Sequence, residues 1–173
     1  MKKTSAVLLI LLTFVLVGGG LVYLNSSKQV SVNSTTQESI LPIANFKTYK
    51  SSALDFTVKL PREYQVEESI TIVDFKFEGK FIDLGRSDGS GFSGLEGYLF
   101  DLDDKNNTKN ITVVDKLNLN GYQSESRLET RGGITYKMYY IYVEGWVYTF
   151  STKSESLYSD LDQIAQSFQY TPN

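Results

Sequence analysis

Ile134-Thr-Tyr-Lys-Met-Tyr-Tyr-Ile-Tyr-Val-Glu-Gly-Trp-Val-Tyr-Thr-Phe-Ser151 holds two apolar runs separated by Glu144-Gly145. Side chains on a strand point alternately to opposite faces. Tyr136, Met138, Tyr140 and Tyr142 therefore share one face, and Tyr139, Ile141 and Val143 share the other. Trp146, Tyr148 and Phe150 line one face of the second run. A two-residue connection ending in glycine joins neighbouring antiparallel strands, so the stretch reads as a hairpin. An antiparallel sheet wet on one side would alternate apolar with polar residues. Here both faces are apolar, which predicts a central hairpin covered on both sides.

Working outward, Asn120-Gly121 and Gly132-Gly133 mark further turns, bounding strands over Lys116–Leu119 and Tyr122–Glu129. Upstream, Phe56, Val58 and Leu60 share one face of a strand that Pro61 ends, and Tyr64 and Val66 start the next extended piece. Strands are also predicted at Ile70–Val73, at Phe75–Leu84 broken by Glu78-Gly79, and at Tyr98–Leu102, with Gly85–Gly94 as a loop. After residue 152 the period changes. Leu157, Leu161, Ile164, Ala165 and Phe168 recur at helical spacing, predicting a closing amphipathic helix over roughly 154–168 with Ser154 or Thr152 at its start. The sum is an α+β fold, a mostly antiparallel sheet flanked by helices.

The 173 residues suffice for one core-forming domain with extensions. The chain has no cysteine and no histidine, which removes disulfides, thiolate chemistry, and the commonest general base and metal ligand. Lys2 and Lys3 precede an uncharged apolar run over residues 5–24, long enough to span a bilayer. Val17-Gly-Gly19 offers a small-residue cleavage site, yet Leu21–Leu24 prolongs the apolar run past it. The reading is a single-pass transmembrane anchor over 1–25, secreted only if cleaved. The lysine pair stays cytoplasmic and the remainder lies outside the cell membrane. Residues 26–45, rich in Ser, Thr, Asn and Gln, read as a polar tether, and 46–173 as the extracytoplasmic domain. Beyond the anchor, 15 basic against 20 acidic residues leave a net charge of −5, which disfavours nucleic acid as a partner. The Met-Lys-Lys start fits a bacterial chain, so the sequons at Asn25, Asn33, Asn106 and Asn110 carry little weight.

No motif for catalysis or for a cofactor stands out. Gly91-Phe-Ser93-Gly-Leu95 approaches a nucleophile elbow, but Leu95 takes the second glycine position and no histidine can act as base. Gly85–Gly94 lacks the Gly-Lys-Ser/Thr of a phosphate-binding loop. Asp101–Asn107 supplies ligand types that calcium prefers, yet Lys105, Asn106 and Thr112 stand where an EF-hand needs a ligand, a glycine and a bidentate Glu. It reads as a solvated turn. Asp74, Asp83, Glu96 and Asp101 fall near strand ends, where a carboxylate pair would have to assemble. The candidate ligand-binding residues are Tyr136, Tyr140, Trp146 and Tyr148, which would stack on a sugar or small ligand if exposed.

Two segments resemble the PsbP-like domain family. Lys47-Thr-Tyr-Lys-Ser-Ser-Ala-Leu-Asp-Phe-Thr-Val-Lys-Leu-Pro-Arg-Glu-Tyr64 is similar to the family's opening Tyr-x-Ser run and Leu-Pro strand. Gly133–Tyr140, Gly145–Ser151 and Gln166-Ser-Phe-Gln-Tyr170 are similar to its closing hairpin, helix and Ser/Thr-Phe ending. The resemblance, over about 46–170, implies an α/β/α sandwich of helices on an antiparallel sheet. Plant members bind photosystem II, a structurally similar eukaryotic protein binds a small GTPase, and small bacterial members anchored outside the membrane look like this chain but imply no defined activity. What the resemblance implies is a noncatalytic accessory module with a protein partner in the envelope, without functional residues to carry over. The alternative is a module for cell-wall glycan or a small ligand, using the exposed aromatic residues.

Overall fold

The computed structural model describes residues 45–106 and 110–172. The expected anchor over 1–25 and almost all of the tether lie outside the described residues. None of the described helices is long and apolar enough to cross a membrane.

Strands β3 (Gln65–Glu68), β4 (Ile72–Phe77), β5 (Lys80–Asp88), β6 (Ile111–Leu119), β7 (Tyr122–Arg131), β8 (Ile134–Val143) and β9 (Trp146–Thr152) form one antiparallel sheet. Their order is β3-β4-β5-β9-β8-β7-β6. A smaller sheet joins β1 (Phe46–Ser51), β2 (Phe56–Pro61) and β10 (Gln169–Tyr170). The helices are α1 (Leu95–Asn106) and α2 (Tyr158–Gln166), the second led in by a 3₁₀ turn over Glu155–Leu157. The β8–β9 hairpin sits inside the large sheet, as its two apolar faces predict. Asn120 and Gly121 turn between β6 and β7 with φ of 54° and 92°, the left-handed pair that a tight two-residue hairpin requires.

The main core lies between one face of the large sheet and a layer made of the small sheet and α2. Phe56, Val58 and Leu60 of β2 meet Val73, Phe75, Ile82, Leu84, Tyr139, Ile141, Tyr148 and Phe150 there, with Leu161, Ile164 and Phe168 closing the layer. The Phe168 ring stacks on Phe56 and meets Phe150 edge-on, with centroids 6.1 and 5.9 Å away. The opposite face of β8 and β9 packs Met138, Tyr140 and Val147 against Leu95 and Leu99 of α1. Helices on both sides of an antiparallel sheet make the domain α+β.

Three local expectations are corrected. Tyr98–Leu102 is not a strand but the middle of α1: Leu95, Tyr98, Leu99 and Leu102 recur at three- and four-residue spacing and form one apolar stripe on the sheet. Asp101–Asn106 is consequently the last part of that helix and not an Asp/Asn turn. Gly85–Gly94 is not wholly a loop, because β5 runs through it to Asp88. The chain then makes a close approach at Gly89, where an added Cβ would lie 2.9 Å from Val147 Cγ2 and 3.2 Å from Tyr142 Cε2.

Candidate functional site

The face of the large sheet that receives α1 holds the chemistry. Residues paired across an antiparallel ladder project to the same side. The register places Gln123, Glu125, Arg127, Glu129 and Arg131 of β7 beside Tyr142, Tyr140, Met138, Tyr136 and Ile134 of β8, facing α1. Arg127 is only 5% exposed, and Glu129 only 1%. The Arg127 guanidinium contacts both Asp103 oxygens at 2.9 Å, pairs with Glu125, and lies 3.8 Å from Glu129. Glu129 also accepts the Tyr140 hydroxyl at 2.8 Å and pairs with Arg131. Burial alone would lower the Arg127 pKa, but Glu125 and Asp103 outweigh it and hold the guanidinium above its ordinary value. Burial foremost, then the Glu129 carboxylate, pushes the Tyr140 phenol up. At its centre Glu125, Arg127 and Glu129 are buried and partnered, and through Asp103 they fasten α1 to the sheet.

The helix begins beside this ladder. Leu95 N–H donates to Gln123 Oε1 at 3.0 Å, so a side chain from β7 caps the first turn of α1. A shallow depression of about 260 Å³ opens there, lined by Leu95, Glu96, Lys116, Asn118, Gln123 and Glu125.

On the other flank no described element covers the same sheet face. The apolar cluster beneath α1 ends at Val147 of β9. Farther out, Glu67 of β3 stands opposite Asp74 of β4, Asp74 opposite Asp83 of β5, and Lys76 opposite Phe81. Ile72 is 47% and Phe81 41% exposed on this face, and the adjoining turn carries Ile70 at 86%. Val73, Phe75, Ile82 and Leu84, which alternate with them, are fully buried in the main core. The flank is therefore a rigid strip whose outward side meets solvent. Lys76 pairs with Glu67 and lies 5.4 Å from the Phe81 ring centroid. Among the described residues no basic side chain forms an ion pair with Asp74 or Asp83. Partial desolvation first, and the facing Asp74 carboxylate second, raise the Asp83 pKa, while the Lys153 charge lowers it. A second depression, about 310 Å³, adjoins the strip between Glu63, Gln65, Lys76, Phe77 and Phe81.

No family model matches this chain, and none of the curated proteins matches it. Among solved structures it is similar to the solution structure of cyanobacterial PsbP (CyanoP) from Synechocystis sp. PCC 6803, with a TM-score of 0.51 over 75% of this chain and 95% of that one. The fold is PsbP-like. Sequence identity in that match is 14%, so the likeness is one of fold. A crystal structure from Bacteroides thetaiotaomicron VPI-5482 matches at TM-score 0.49 and 10% identity, covering 75% of this chain and 50% of that one. A protein of unknown function, PA94 from Pseudomonas aeruginosa, matches at 0.38 and 14%, covering 65% and 86%.

In this domain the four candidate aromatic residues do not converge. Tyr136 and Tyr140 face α1, whereas Trp146 and Tyr148 face the main core. Tyr140 is 1% and Tyr148 0% exposed. The Tyr148 hydroxyl donates to the Leu54 carbonyl at 2.6 Å, and burial pushes its phenol up to about 12. Trp146 is half-buried under the Arg86 guanidinium, 4.4 Å from the ring centroid, and Arg86 is itself fixed by Asp55 at 3.0 Å. No single ring-stacking ligand can reach both faces. Of the four carboxylates weighed from the sequence, Asp74 and Asp83 do meet across β4 and β5, whereas Asp101 pairs with Lys105 at 2.7 Å and Glu96 lies 3.9 Å from Lys116. The buried ladder Glu125–Arg127–Glu129 escaped sequence reading, although charges at every second position of one strand face were its signal.

Proposed function

We propose that this chain is a noncatalytic accessory module that engages a protein partner outside the cell membrane, held there by an anchor over residues 5–24. The observation that carries the reading is the uncovered flank of β3–β5. A domain that buries apolar residues on both faces of its central strands nonetheless leaves Ile72 and Phe81 in solvent on a rigid strip. With Ile70 beside Ile72 and Phe81 at the far end, they give the strip an apolar character that a partner can cover. The uncharged run after Lys2 and Lys3 supports the anchor, and the PsbP-like fold supports an accessory role. A glycan reading is left with Tyr136 and Trp146 as separate, half-buried rings on opposite faces, a poor stacking platform.

The test is chemical crosslinking of the full-length chain in native membranes, followed by solubilisation and recovery. The expected result is a discrete protein adduct that disappears when Ile72 and Phe81 are both changed to Ser. Recovery of the same adducts by the double variant, or robust turnover of any substrate by the purified chain, would overturn the reading.

A further inference from the structure

We infer that the uncovered flank of β3–β5 takes an amphipathic helix of a protein partner, one that presents a lysine or arginine between two apolar side chains. This rests on the protein-binding reading above and names the chemistry of the site.

The occupant's shape follows from α1. That helix lies on the same sheet face and meets it through Leu95, Leu99 and Asp103, positions four residues apart on one helix stripe. Two of these side chains are apolar, and the third brings a carboxylate to Arg127. The sheet continues past α1 by β9, β5 and β4. Strands are about 4.8 Å apart, so the middle of the β4–β5 pair lies roughly 12 Å from β8, near the spacing of two packed helices. A second helix therefore fits beside α1 without displacing it.

The occupant's charge follows from the strip. Along β4 the outward positions are Ile72, Asp74 and Lys76, opposite Gly85, Asp83 and Phe81. Ile72 stands at one end, Phe81 beside the Glu67-paired Lys76 at the other, and the middle is a pair of carboxylates. Two residues along a strand advance about 6.6 Å, and four residues along a helix advance about 6 Å. A helix with an apolar residue, a cation and an apolar residue at i, i+4 and i+8 matches this strip position by position. The charged groups facing the site are Glu67, Asp74, Asp83, Lys76 and Lys153. Lys76 is engaged by Glu67, and Lys153 acts on Asp83 without forming an ion pair with it. A cation arriving between Asp74 and Asp83 relieves a like-charge contact that the free protein carries. A second copy of this chain would bring carboxylates to carboxylates, which disfavours self-pairing through this strip.

The probe is an 18-residue amidated synthetic helix with Leu, Lys and Phe at i, i+4 and i+8 and neutral residues elsewhere, titrated into isotope-labelled full-length chain in nanodiscs. A matched peptide carries Glu in place of Lys. Saturable binding of the lysine peptide is expected, with amide shifts centred on β3–β5 and at least tenfold weaker binding to Asp74→Asn/Asp83→Asn. The amide variant removes repulsion and keeps the fold, which circular dichroism checks. No binding, equal binding of the glutamate peptide, an unchanged affinity in the amide variant, or shifts centred elsewhere would overturn the inference. Crosslinked recovery from membranes separates it from the broader reading. An adduct retained by Asp74→Asn/Asp83→Asn but lost with Ile72 and Phe81 would refute the charge match and leave protein binding intact. Absence of any adduct would sink both.

Discussion

Arg127 shows how the domain tolerates charge in its interior: one guanidinium, almost wholly buried, answers Asp103, Glu125 and Glu129. Removing one partner from a buried set leaves the others uncompensated, at a cost of about 3–5 kcal/mol. Arg127→Met is accordingly expected to lower unfolding stability by that amount in urea titrations, whereas Lys105→Ala, which breaks an exposed pair with Asp101, changes it by under about 0.5 kcal/mol. A loss below about 1 kcal/mol for Arg127→Met would mean that the ladder does not hold α1. Asp83 illustrates the reverse case. Its folded pKa lies above the ordinary 3.8, so the native state binds the proton more tightly than the unfolded chain does. Below that ordinary value both states are protonated and Asp83 has no effect. As pH rises through the window from 3.8 to the raised native value, its contribution becomes destabilising. Asp83→Asn is therefore predicted to be more stable than the parent near neutrality, by less than about 1 kcal/mol given solvent screening, and equal to it at about pH 3. Lower stability of the variant at neutral pH would contradict this.

Among the elements, α1 carries the sharpest lesson about reading this sequence. Leu95, Tyr98, Leu99 and Leu102 keep a helical period, but Gly97 and three aspartates interrupt the propensity, and Tyr98-Leu-Phe-Asp-Leu102 passes for a strand. What decides for helix is supplied from outside the segment: the Gln123 cap, the Arg127 partner for Asp103, and the apolar floor of Met138, Tyr140 and Val147. The β8–β9 hairpin and α2 needed no such help, because each announces its faces through its own periodicity. Leu99 is the central apolar contact of α1 and is 2% exposed. Leu99→Ala should cost about 2–4 kcal/mol and raise hydrogen exchange in 95–106 before it does so in α2. Uniform acceleration across both helices would show that α1 is not a separately secured element.

At the scale of the whole molecule, the closing hairpin and helix, the chain turns and the two-sided burial were legible, because they depend on local alternation and on glycine position. The candidate site was not. Its parts come from β3, β4 and β5, and the meeting of Asp74 with Asp83 depends on a register that only the folded sheet fixes. The aromatic residues that drew attention in the sequence, Tyr140 and Tyr148 above all, serve the two cores. The quieter Ile72 and Phe81 are among the large apolar residues left facing water, because among the described residues α1 is the one helix on that face of the seven-stranded sheet and it lies over β8 and β9. That unequal cover selects one surface for the partner. The direct measurement is site-specific photocrosslinking in living cells, with a benzoylphenylalanine placed at Phe81 or, as a control, at Lys59, an exposed position on β2 of the small sheet. A discrete protein adduct is expected from position 81 and none from position 59. Adducts from 59 alone, or equal yields from both, would contradict it.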